Sequence, residues 1–173
     1  MGVAFLVGSV LLRSDVENVR EPRMTPEEVV RKAERVLDRW IDRYQPEVVA
    51  IESTFFAQSK KSRHLKRLIT ALTEHGKREG LTVRLYQPTA VRRLICKQGR
   101  PTRLAVARVL ATDYFPWLFP YYDKEARKSW WRKRYWTSMF DAIAVGLACH
   151  RAVTDTRRRR EMAWLRSFIR ENA

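Results

Sequence analysis

Pro46-Glu47-Val48-Val49-Ala50-Ile51-Glu52-Ser53-Thr54-Phe55-Phe56 is the stretch on which the fold turns. Val48, Val49 and Ile51 are β-branched, Ala50 adds no polarity, and Pro46 and Ser53 bound the run. A continuous apolar run of this length reads as a short strand covered on both faces. Glu52 then stands where the chain leaves the sheet, the edge at which open α/β sheets bind ligands. Taken alone, an exposed carboxylate at a strand end is the plainer account of Glu52, and the surrounding chain has to decide.

Upstream, Val3 to Val7 and Val10 to Leu12 flank Gly8-Ser9, a tight-turn signal between two strands. Asp15 to Arg23 is polar and reads as a loop. Thr25-Pro26-Glu27-Glu28 carries a cap, a first-turn proline and a capping-box partner, and apolar residues recur at helical spacing from Val29 to Tyr44. Downstream, a helix over about 59–79 is followed by the alternating strand Thr82 to Tyr86, and Pro88 and Pro101 each open a further helix. From Ser138 onward Phe140, Ala142, Ile143, Ala144, Val145, Leu147 and Ala148 make a helix apolar almost all round, which predicts deep burial. The order hairpin, helix, strand, helix, strand, helices gives an α/β fold with a mixed sheet flanked by helices.

A chain of 173 residues is long enough to bury one proper core. Its formal net charge of +16 is too large for a neutral solvated surface and points to a polyanionic partner. Nucleic acid comes first, because Lys and Arg that neutralise phosphates release counterions. A membrane surface would need a spare basic amphipathic helix, and most helices here are needed for the core. Cys96 and Cys149 lie in apolar contexts without metal-ligand spacing, and His64, His75 and His150 show none either. They read as reduced, packed thiols and as surface or helix-end histidines. With no transmembrane-length apolar run and no signal peptide, a cytoplasmic location is expected.

Four segments follow one another at compatible spacing: AIESTFFA over Ala50–Ala57, YQPTAVRR over Tyr86–Arg93, KQGRPTR over Lys97–Arg103 and FDAIAVG over Phe140–Gly146. In that order they resemble the RuvC-type Holliday junction resolvases of the RNase H-like superfamily. The matching features there are a strand bearing a catalytic Glu, the next strand-to-helix junction, a glycine-containing basic turn and the C-terminal catalytic helix. The resemblance starts at the family's second strand. The family's first, central strand, with its Asp and glycine turn, is therefore expected to be absent from these residues, through a start set too far downstream or a truncation. A second departure is Ser138, which stands where the family usually places an acid or His and is a possible degenerate ligand position.

The resemblance implies Mg²⁺-dependent cleavage of four-way DNA junctions by a homodimer, with two metal ions and Mn²⁺ as a substitute. It makes Glu52 and Asp141 catalytic metal ligands. Asp141 also has a local reading, because it lies three residues after Ser138 and would complete a capping box. Phe55 resembles the aromatic that contacts unstacked bases, with a core phenylalanine as the alternative. Lys60, Lys61, Arg63, Arg92, Arg93, Lys97, Arg100 and Arg103 suit DNA phosphates. Arg127 to Trp136 interleaves basic and aromatic residues, and Arg132, Lys133 and Arg134 are expected on DNA. Asp15, Asp113 and Asp123 are solvated loop or cap residues on this reading. The domain layout is a nuclease domain over 1–154, with the insertion at about 115–136, and a basic amphipathic helix over 155–173. Two other functions fit less well: a catalytically impaired branched-DNA-binding protein, and another RNase H-like nuclease such as a transposition-associated one.

Overall fold

A computed structural model describes the backbone of residues 1–53, 60–97, 99–128 and 135–171, and side chains within those ranges except at 60–62, 157–161 and 164–171. The elements are β1 (Gly2–Val7), β2 (Val10–Val16), α1 (Pro26–Tyr44), β3 (Val48–Glu52), α2 (Lys60–Arg78), β4 (Thr82–Tyr86), α3 (Pro88–Ile95), α4 (Arg103–Val109), α5 (Phe119–Ala126) and α6 (Thr137–Glu171). A π-helical turn (Leu110–Tyr114) and a 3-10 turn (Pro116–Leu118) join α4 to α5. Among the described residues no helix is long and apolar enough to cross a membrane.

Local chemistry explains most of these boundaries. Thr25 and Glu28 form the capping box expected of them, with Oγ1 accepting the Glu28 N–H at 3.2 Å and Oε2 accepting the Thr25 N–H at 2.7 Å. Gly8 turns the hairpin at φ +60°, and Gly80 follows α2 at φ +76°, conformations that suit glycine. The polar loop expected from Asp15 starts later than the sequence suggested. Ser14, Asp15 and Val16 continue β2 opposite Ala4, Val3 and Gly2. Polar residues are tolerated there because β2 is an edge strand with a water-facing side.

The strands form two ribbons rather than one ladder. β1 and β2 pair antiparallel, β3 and β4 pair parallel, and no strand among the described residues hydrogen-bonds the ribbons together. What unites them is helix packing. Ala4, Leu6 and Ala50 turn towards α6, while Val3 and Ile51, their neighbours along the strands, turn towards α1 and α2. That is the period-two alternation of a sheet covered on both faces.

α6 is the axis of the larger core. Phe140 and Ile143 are wholly inaccessible, and Val106, Ala107 and Leu110 close over them from the α4 side. The backbone of β1 lies directly on the first turn of α6, where a Cβ on Gly2 would fall 1.8 Å from the Ser138 carbonyl oxygen. Only glycine allows that approach. α6 is one continuous helix to Glu171, so the expected C-terminal basic segment prolongs it without a break.

The start of α6 is fixed by a residue that carries no sequence signal. Glu125 is fully buried, and its Oε1 accepts from Lys128 Nζ at 2.6 Å and from the Trp136 N–H at 3.0 Å. Trp136 precedes the first residue of α6, and its carbonyl accepts the Phe140 N–H at 3.3 Å. Glu125 therefore supplies, from α5, the acceptor that a capping-box partner would give the N-cap N–H. Tyr135 adds a second pin, its hydroxyl donating to the Val16 carbonyl at 3.1 Å. Replacing Glu125 by Ala leaves the Trp136 N–H and the Lys128 ammonium without this acceptor. The expected loss is about 2–4 kcal/mol, read as a lower urea midpoint with unchanged slope. An unchanged midpoint would mean that Glu125 does not hold the helix start.

Candidate active site

Glu52 ends β3, and its position is set by the parallel ladder to β4. The ladder runs past it, since the Ser53 N–H donates to the Tyr86 carbonyl at 2.8 Å. The last strand residue is thus held as firmly as those within the strand. Its side chain is 29% exposed, so the carboxylate is neither free in water nor sealed in the core. Asp141 lies one turn into α6, beneath the ribbons, with its side chain only 11% exposed.

Four charged groups from four elements meet here. Arg92 of α3 brings Nη2 to 3.8 Å from Glu52 Oε1, an ion pair but too long for a hydrogen bond. Arg103, the first residue of α4, donates from Nη2 to Asp141 Oδ2. Thr102 caps that helix, its Oγ1 accepting the Ala105 N–H at 3.1 Å. Burial pushes the Glu52 carboxyl above the ordinary glutamate value of 4.5, and the negative charge of Asp141 pushes the same way, while Arg103 and Arg92 oppose both. Both ion pairs therefore act on the charge of Glu52, Asp141 against its ionisation and the two arginines for it.

The capping-box reading of Asp141 fails. α6 begins at Thr137, so Ser138 lies inside the first turn and its hydroxyl donates to the Tyr135 carbonyl at 3.1 Å. Asp141 is paired with Arg103 instead, and its carboxylate faces the α4 side. A cleft of about 740 Å³ opens beside this pair, lined by Thr102, Arg103, Tyr135, Thr137 and Ser138 among others.

The other candidates divide by position. Arg63, Arg93, Lys97 and Arg100 are exposed, as phosphate contacts would have to be. Phe55, Arg132, Lys133 and Arg134 fall outside the described residues, as do the side chains of Lys60 and Lys61. Asp15 and Asp123 are held by Arg13 and Arg127, and Asp113 accepts from Thr112 Oγ1. Cys96 and Cys149 are buried free thiols. His75 is more than a helix-end residue, because it bridges α2 to Asp38 of α1 with a side chain 14% exposed. Sequence reading missed Arg92 and Arg103 as carboxylate partners, since pairing between separate elements leaves no trace in local spacing.

Glu52 and Asp141 offer hard oxygen donors, the type that Mg²⁺ and Mn²⁺ take, and Mg²⁺ is commonly held by one or two carboxylates with water and phosphate completing its shell. The donor set therefore fits a hard divalent cation. Among the described residues no group of three or more His, Cys, Asp or Glu side chains is placed to hold a metal.

The family model described as crossover junction endodeoxyribonuclease RuvC matches residues 3–112. That span includes Glu52, Arg92 and Arg103 and stops short of Asp141. Among solved structures, the chain is similar to the Thermus thermophilus RuvC structure, with 21% identity and a TM-score of 0.62 over 90% of this chain and 89% of that one. It is also similar to T. thermophilus RuvC in complex with Holliday junction substrate, with 20% identity and a TM-score of 0.61 over 88% and 87% of the two chains. At this identity the likeness is one of fold, and it meets the expectation of an RNase H-like α/β architecture. The comparison with curated proteins gave no match.

The raised pKa of Glu52 has a stability consequence. A carboxyl that binds its proton more tightly in the folded chain than in the unfolded one stabilises the fold below the unfolded pKa. That contribution is lost as pH rises through the folded value, so at neutral pH the ionised group is a burden. Glu52→Gln is therefore expected to melt higher than the parent chain at pH 7 in chelator. The gap should close as pH falls towards the ordinary value of 4.5. A variant that melts lower at pH 7 would contradict the burial and repulsion described above.

Proposed function

The chain belongs to the family of crossover junction endodeoxyribonuclease RuvC, and on that premise we propose that it cuts four-way DNA junctions as a divalent-metal-dependent homodimer. The observation that carries the reading is the meeting of Glu52 and Asp141, from a strand end and a buried helix, with Arg92 and Arg103 beside them. A divalent ion bound there would polarise the phosphodiester and lower the pKa of the attacking water. Glu52, at the end of β3, and Asp141, one turn into α6, would hold it. Arg92 is suited to a phosphate oxygen, because its guanidinium is held only by the long 3.8 Å pair with Glu52. A second ion would need donors from the DNA itself, since the described residues offer only this pair.

The exposed Arg63, Arg93, Lys97 and Arg100 would carry the flanking phosphates, and the net charge of +16 supports that assignment. Lys60, Lys61, Phe55, Arg132, Lys133 and Arg134 belong to the same proposal on sequence grounds alone. The nuclease domain would span 1–154, with the basic continuation of α6 over 155–173 lying along DNA. A homodimer suits the substrate, because two symmetric cuts call for two sites related by a twofold axis. The absence of a transmembrane-length helix among the described residues fits a cytoplasmic setting.

One observation favours binding without cleavage. Ser138 is not a charged ligand, and no third acidic or imidazole group joins Glu52 and Asp141 among the described residues. Cleavage of a synthetic four-way junction in Mg²⁺ or Mn²⁺ separates the two readings. The nuclease reading expects two symmetric nicks, and a loss of about a hundredfold or more in Glu52→Gln and in Asp141→Asn with junction affinity retained. Cleavage that survives both substitutions would overturn the assignment. Tight, salt-sensitive binding with no cleavage in either metal would favour the binder.

A further inference from the structure

The four charges of the site sum to zero. Glu52 and Asp141 are matched by Arg92 and Arg103, so a divalent cation approaching the chain without DNA meets little net attraction. The two partners of the tighter pair differ in freedom. Asp141 is 11% exposed and fixed by the most buried helix of the fold. The Arg103 side chain is 48% exposed and reaches into the cleft from the first residue of α4. If the contact opens, it is Arg103 that moves, and the nearest use for its guanidinium is a phosphate.

We propose that Arg103 is a positioning residue that occupies Asp141 until a phosphodiester arrives, so that DNA and the divalent cation load together. The inference rests on the nuclease reading above and adds an order of events to it. On meeting DNA, Arg103 exchanges the Asp141 carboxylate for a phosphate oxygen, an exchange of one charge-assisted bond for another. Asp141 is then free as a ligand, and its burial holds it in place. Arg92 starts with the looser pair, so Glu52 is already partly available. Thermodynamic linkage requires the effect to be reciprocal. Whatever factor the junction adds to metal affinity, the metal adds to junction affinity.

The test is an equilibrium titration of Mn²⁺ on ice, followed by the paramagnetic resonance signal of the free ion, with and without a synthetic four-way junction. In the parent chain the junction is expected to tighten Mn²⁺ binding by about tenfold or more, since one unit charge a few ångströms away in a half-buried site is worth at least that much. Arg103→Gln is expected to bind Mn²⁺ about tenfold tighter than the parent without DNA, and to gain little from the junction. Arg103→Lys keeps the charge and should stay near the parent in DNA-free affinity, so a loss of fold and a loss of charge are told apart. An Arg103→Gln chain with the parent's DNA-free affinity overturns the proposal, as does a parent chain whose Mn²⁺ affinity ignores the junction while it still cleaves. A parent chain that takes up no Mn²⁺ with or without the junction overturns the nuclease reading as well.

Discussion

Phe140, Ile143, Ala144 and Leu147 leave the first half of α6 no face to give to water. β3, α3 and α4, which bear the other three charges of the site, all pack against this helix, as does β1. β1 does so through Gly2, whose backbone touches the first turn of α6, and β3 does so through Ala50. α4 closes from the side with Val106 and Ala107. The parallel ladder to β4 then carries Glu52 to the end of its strand, and α4 begins with Arg103 above Asp141. The site is a by-product of packing in this sense: four charged side chains sit at the rims of segments that meet for apolar reasons.

Those charges are an arrangement that folding alone would not favour. Two carboxylates are brought close in a partly dry setting, where burial and mutual repulsion both oppose ionisation of Glu52. The flanking arginines offset part of this cost. Acidic sites that bind metal typically show such strain before the cation is present, and the stability given up is recovered on loading. The contrast with Glu125 is instructive. It is more deeply buried than either, yet it serves the start of α6 and has an ammonium and an N–H on one oxygen. A buried acid with local structural partners reads as a fastening, whereas two acids from separate elements, each paired with an arginine, read as chemistry.

Much of this was legible in the sequence where a feature rests on local pattern. The β-branched run before Glu52, the Gly8 hairpin turn, the Thr25–Glu28 capping box and the all-round apolar helix after Ser138 are each written within a few residues. What depended on distant contacts was not. The extension of β2 to Val16 relies on pairing with β1, and the separation into two ribbons depends on which edges meet. Ser138 suggests a local cap in the sequence, whereas the N–H that precedes α6 takes its acceptor from Glu125 of α5, eleven residues away. The two carboxylates were found through family resemblance, and their arginine partners only through geometry. Phe55 and the basic-aromatic residues from 129 to 134 lie outside the described residues, and their roles rest on the sequence.

The claim at the centre of the account is that Glu52 and Asp141 are neighbours whose charges repel. A double-mutant cycle on folding stability tests it directly, using Glu52→Gln, Asp141→Asn and the double variant at pH 7 in chelator. Either single substitution removes the same repulsion, so the sum of the single effects counts that relief twice. The account expects the double variant to be less stable than additivity requires, by about 0.5–3 kcal/mol. Additivity to within about 0.3–0.5 kcal/mol would show the two groups to be independent and would remove the site from the structure.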